Sequence, residues 1–134
     1  MSVQTNIAEE PAGSSVLQIS NAIGRIHKEF VGRGPDRVRT YVDDDLVVCL
    51  LEGGFTRAEQ SVREHVGEST VLELRVQLQE AMKLAMIEAV EGILGRSVRS
   101  FMSANDFEAN VQVEVLLLDT PVATSAPGRG GRVV

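Results

Sequence analysis

Residues 26–60 read IHKEFVGRGPDRVRTYVDDDLVVCLLEGGFTRAEQ, and the order of local signals in them limits the folds open to this chain. An apolar helical pattern stops at Gly32-Arg33-Gly34-Pro35, because glycine can take the left-handed conformation that closes a helix and proline cannot continue one. Two segments rich in β-branched residues, 37–42 and 46–52, flank Asp43-Asp44-Asp45, which suits a tight turn. Gly53-Gly54 then leads to Thr56 and Glu59, whose spacing is that of a capping box at the start of a second helix.

The flanking sequence completes the pattern. Upstream, Val16, Ile19, Ile23, Ile26 and Phe30 recur at three- and four-residue spacing behind a cap at Ser14 or Ser15. Downstream, a short helix ending near Gly67 is followed by a long one, opened by Ser69 or Thr70 and closed by Gly95. Its apolar positions (Leu74, Leu78, Ala81, Ala85 and Ala89, broadened by Val76, Leu84, Ile87, Val90 and Leu94) exceed a single stripe. Residues 97–103 and 110–118 read as a second hairpin, in which Val111, Val113, Val115 and Leu117 alternate with Gln112 and Glu114. The expected fold is α+β, in the order α-β-β-α-α-β-β, with a four-stranded, mainly antiparallel sheet and helices packed on one face. Segment 46–52 is apolar on both faces and should be central or covered twice. The folded domain is expected over 14–119, with flexible segments at 1–13 and 120–134, where Pro, Gly, Ser and Thr accumulate.

Composition excludes several functions. At 134 residues, with 43% hydrophobic and 24% charged residues, the chain has the composition of an ordinary globular domain. A net charge of −6, 4% aromatics and no Trp argue against nucleic-acid binding through a broad basic surface. The single Cys49 allows no internal disulfide, which fits a cytoplasmic location. The first residues lack a basic stretch followed by an apolar run, and no window is apolar enough to span a bilayer, so any membrane link is expected to be peripheral, through a partner or a surface patch.

The candidate chemistry is sparse. His27 and His65 read as solvated helix-surface histidines without metal-ligand spacing, and the three aspartates lack the alternation of a calcium loop. Cys49 lies mid-strand, where a thiol behaves as a small hydrophobe. With no nucleophile elbow or metal set, neither an enzyme nor a cofactor is expected. What remains is a concentration of Gly and Arg in loops beside the sheet. Gly32, Arg33, Gly34, Arg37 and Arg39 form one group, with Tyr41 on the same strand face as the last two. Gly53, Gly54, Thr56 and Arg57 form another, at a helix N-terminus able to attract an anion.

These motifs, Gly32-x-Gly34-Pro35, the Tyr41 to Glu52 hairpin and Gly53-Gly54-x-Thr56-x-x-Glu59-Gln60, followed by Gln79-Glu80, Gly95-Arg96 and Phe101-Met102-Ser103, carry a resemblance. Over about residues 16–119 the chain resembles the MpsC-like family, small bacterial domains named for a sodium-translocating, membrane-potential-generating system. Members usually carry Lys where this chain has Arg33, and the turn expected at Ala104 to Ala109 varies among them. The resemblance implies a component associated with a membrane system for cation movement and inorganic-carbon uptake, itself neither pore nor pump, and supplies no catalytic residue.

The expected function is therefore a non-enzymatic accessory or regulatory interaction module, a homodimer because the long helix and residues 46–51 carry excess apolar surface, with a membrane transporter subunit as partner. The alternatives are a small-anion or nucleotide sensor using the same arginines, and a weak RNA-binding module.

Overall fold

The structure, a computed structural model, describes residues 12–122. Much of both segments expected to be flexible, 1–11 and 123–134, lies outside the described residues.

Helix α1 (Ala12–Val31) is followed by strands β1 (Arg37–Asp43) and β2 (Leu46–Glu52), helices α2 (Arg57–His65) and α3 (Glu68–Leu94), and strands β3 (Val98–Asp106) and β4 (Val111–Leu118). The fold is α+β in the order anticipated. All four strands form one antiparallel sheet with spatial order β1-β2-β4-β3, so the two hairpins join through β2 and β4. Strand β2 is thus central, as its apolar character requires.

Several boundaries have a local cause, although the caps expected at Ser14 or Ser15 and at Ser69 or Thr70 fall inside helices that begin at Ala12 and Glu68. At the first hairpin Asp43 pairs with Leu46, and Asp44 takes a φ of 64°, a left-handed conformation that a short polar side chain tolerates. Helix α2 starts at the capping box of Thr56 and Glu59. Helix α3 ends where Gly95 adopts a φ of 70° and returns its N–H to the Glu91 carbonyl at 2.8 Å. Strand β3 continues through Ala104–Asp106, residues expected in a turn, because each pairs with β4; the turn is confined to 107–110.

Helices α1 and α3 lie on one face of the sheet. Ile19, Ile23 and Ile26 of α1 and Met82, Met86, Val90 and Leu94 of α3 meet Val42, Val47, Cys49, Leu51, Leu116 and Leu118 in a continuous core. Each large apolar side chain so buried contributes roughly 1.5–3 kcal/mol. A smaller cluster of Phe55, Val71 and Phe107 ties the corner before α2 to the turn after β3. The phenyl rings of Phe55 and Phe107 lie 4.4 Å apart.

Strand β4 turns its polar positions inward. Gln112 and Glu114 point with Leu116 and Leu118 toward the helices and are buried, whereas Val111, Val113, Val115 and Leu117 point to the face that no helix covers. The polar positions can face inward because a buried arginine and a serine supply partners for them.

Candidate functional site

Arg75 occupies the buried stripe of α3 that runs Val71, Arg75, Gln79, Met82, Met86, Val90 and Leu94, and it is fully buried. A guanidinium in such a place is tolerated only when its donors are satisfied. Nε and Nη2 donate to the two carboxylate oxygens of Glu59 at 2.7 and 2.8 Å. Nη2 also donates to the Gly54 carbonyl, and Nη1 donates to Gln112 Oε1 at 2.8 Å and to His27 Nε2 at 2.9 Å. All five N–H groups are used. The Phe55 ring covers the guanidinium, its centroid 4.3 Å away.

This arrangement fixes the state of His27. An arginine only donates, so Nε2 accepts, and the proton resides on Nδ1, which donates to the Arg33 carbonyl at 2.8 Å. Burial, and then the positive charge of Arg75, hold His27 below its ordinary pKa of 6.5, as a neutral ring. Expected on the surface, His27 is instead a fully buried link between α1, α3 and the loop after α1, and His65 is the exposed one. Burial acts to raise the pKa of Glu59, but hydrogen bonds from Arg75 and Thr56 outweigh it and lower the pKa, keeping the carboxylate ionised. Glu114 continues the chain of contacts. It accepts from Gln112 Nε2 at 2.7 Å and from Ser103 Oγ, and burial raises its pKa.

The network joins the two loops singled out in the sequence. Arg33 Nε donates to the Gly53 carbonyl at 3.2 Å, and its Nη2 reaches Asp36 at 3.1 Å. Gly53, at a φ of 78°, receives Asp36 so closely that a Cβ would overlap it. Gly54 abuts the His27 ring, 3.0 Å from where a Cβ would stand. Both glycines are buried. The Thr56 side chain accepts from Glu59 N at 3.1 Å while Thr56 N donates to Glu59 at 2.7 Å, so the first turn of α2 is already engaged with a carboxylate. Gly32 and Arg57 are exposed, and Gly34 is partly so.

The remaining residues lie along β1. Arg39 pairs with Glu52 at 2.8 Å and touches the Tyr41 hydroxyl at 3.4 Å. Gly34, Arg37, Arg39 and Tyr41 line a groove of about 550 Å³ between β1 and α1, opposite Leu17 and Asn21. The structure therefore brings Arg33 and Gly54 against His27 and ties Gly53 to Arg33, while Arg37, Arg39 and Tyr41 lie along the edge strand, where Gly34 joins them in lining the groove.

Among the described residues, no group of three or more His, Cys, Asp or Glu is placed to hold a metal ion, and no helix is long and apolar enough to cross a membrane. Cys49 is buried, its thiol pushed up to about 12 by burial.

Sequence reasoning missed Arg75 and the buried role of His27. A signal for the first was present: Arg75 stands four residues after Val71 and seven before Met82, in register with the apolar stripe.

The family model for the Na+-translocating membrane potential-generating system (MpsC) matches residues 12–120 of this chain. The chain belongs to the MpsC family. That match spans all seven helices and strands of the described residues. The chain is also similar to the uncharacterized protein YrhF of Bacillus subtilis (strain 168), with 26% identity over 109 residues that cover 80% of this chain and 89% of YrhF. No solved structure matches. The MpsC match thus includes both loops and the buried network that holds them together.

Proposed function

We propose that this MpsC-family chain is a non-enzymatic accessory or regulatory interaction module of a membrane cation or inorganic-carbon transport system, acting in the cytoplasm as a homodimer. In this reading the loop of Gly32 to Arg39 and the corner of Gly53 to Arg57 form the contact surface for a membrane-spanning subunit. The supporting observation is the bridge from Arg33 to Gly53, which joins both loops and, through His27, anchors them to Arg75. A loop pair held on a rigid interior keeps its backbone in a fixed place, which lowers the ordering cost of binding. The family description supplies the membrane system. Arg75 and Glu59, two of the buried ionisable groups, are saturated by each other, by His27 and Gln112 and by backbone, a structural rather than a reactive arrangement.

The test is recovery of partners from detergent-solubilised native membranes with the tagged chain, compared with Arg37→Glu plus Arg57→Glu. Both side chains are exposed, so the double variant should fold normally. A multi-span transport subunit retained by the wild type and lost by the folded variant is the expected result. No membrane protein with the wild type, or equal recovery with both, would overturn the reading.

A further inference from the structure

The face of the sheet away from the helices is built as an interior. Across its middle, Tyr41, Val48, Val115 and Met102 stand side by side on neighbouring strands, and the next row carries Leu50, Val113 and Ala104 after Arg39. The two ends are more polar, with Arg37, Glu52 and Asp106 at one and Asp43 and Ser100 at the other. Tyr41 is 54% exposed and Met102 49%, in an apolar centre with a charged rim. An antiparallel sheet facing water on one side normally places its polar residues there. Strand β4 does the reverse, burying Gln112 and Glu114 beneath the sheet and setting half-buried valines on the open face. Shifting its register by one residue would exchange the faces. The observed choice is economical if both faces are covered in the working assembly.

We infer that a second copy of this chain covers it, the two sheets packing face to face about a two-fold axis that runs along the strands between β2 and β4. This deepens the homodimer in the reading above by assigning its interface. Four strands about 4.8 Å apart and seven residues long at about 3.3 Å each give a footprint of roughly 20 by 23 Å. Covering it in both copies removes on the order of 1,000–1,500 Å² in total, which reaches the size of a specific interface. The surface is also self-complementary. A hollow of about 330 Å³ lies over Leu50, Ala104 and Val113 toward β3, while Tyr41 projects from β1 at the opposite edge. The proposed axis brings β1 of each copy over β3 of the other, and so sets each Tyr41 over Met102 of the other copy, beside the hollow at Ala104. The exposed α3 side chains Leu74, Val76 and Leu84 are a weaker candidate, since Glu73, Glu80 and Lys83 interrupt them.

The experiment is mass measurement by light scattering and sedimentation on the full chain at tens of micromolar, with Val115→Lys as the interface variant. The wild type should have twice the monomer mass, and Val115→Lys should remain folded by circular dichroism and weaken dimerisation at least 100-fold. Val115→Cys, beside the axis, should be joined by a short bismaleimide into a covalent dimer much faster than Ser69→Cys, and decides the matter if the lysine variant fails to fold. A wild-type dimer that Val115→Lys leaves intact, or that Val115→Cys does not link, overturns this interface but not the dimer. A wild-type monomer overturns both, leaving the membrane-partner reading to the recovery test above.

Discussion

Arg75 and Glu59 form a two-pronged ion pair, 2.7 and 2.8 Å between heavy atoms, with the arginine side chain fully buried and the glutamate 6% exposed. Removing one partner strands the other charge in the interior. Arg75→Met should therefore cost about 3–5 kcal/mol in urea unfolding, and Arg75→Lys should recover only part of that, because an ammonium cannot serve five acceptors in a plane. The pair Arg75→Met with Glu59→Met should lose less than the sum of the single changes, since no uncompensated charge remains. Additive losses would mean that the two side chains act independently.

The glycine corner offers a steric test. A Cβ on Gly54 would stand 3.0 Å from His27 Cε1 and 3.1 Å from Nε2, against a ring held at both nitrogens and unable to retreat. Gly54→Ala should destabilise by roughly 1–3 kcal/mol through overpacking. Gly92, on the last turns of α3 with nothing within 4 Å of its Cβ position, should respond oppositely, Gly92→Ala gaining roughly 0.4–1 kcal/mol. Thermal and denaturant unfolding of both variants checks the contrast.

The buried titratable groups set opposing pH dependences. His27 has a folded-state pKa below its ordinary 6.5, so its contribution is present above pH 6.5 and is lost as pH falls toward the lowered value. Glu59, lowered from 4.5, adds a further loss below pH 4.5. Glu114, raised from 4.5, works the other way: its contribution is full below pH 4.5 and is lost as pH rises through the raised value. His27→Gln should flatten the stability profile just below pH 6.5, and Glu114→Gln should remove the decline on the alkaline side of pH 4.5. Unfolding free energies measured at unit pH intervals distinguish these outcomes from a profile unchanged by either substitution.

Thr56 caps α2 through its hydroxyl and its own N–H, both engaged by Glu59, which also serves Arg75. Thr56→Ala should cost about 0.5–2 kcal/mol, while Thr56→Ser should be nearly neutral because it keeps the acceptor. Hydrogen exchange should show the loss concentrated in α2. Equal effects of the two substitutions would assign the threonine's role to its methyl group.

Much of this molecule is legible in the sequence because it is local. Gly32 and Gly95 stop helices by backbone geometry, Thr56 and Glu59 cap by spacing alone, and the three aspartates turn a hairpin whose strands declare themselves by β-branching. The candidate loops were visible as Gly and Arg concentrations, but their joining was not, since the bridge from Arg33 to Gly53 spans 20 residues of sequence. His27 looked like a surface group because nothing beside it in the helix announces the guanidinium that lies 48 residues away.

The sequence by itself determined the order of the elements, several of their ends and the alternation of β4, since these depend on neighbours within a few residues. Only the tertiary structure decided which side of that alternation is inside. Periodicity establishes that Gln112 and Glu114 share a face opposite the valines, but it carries no sign, and the sign depends on which distant groups meet them. Arg75 and Ser103 supply the hydrogen bonds that make the polar face affordable beneath the helices, and the apolar face is left outward.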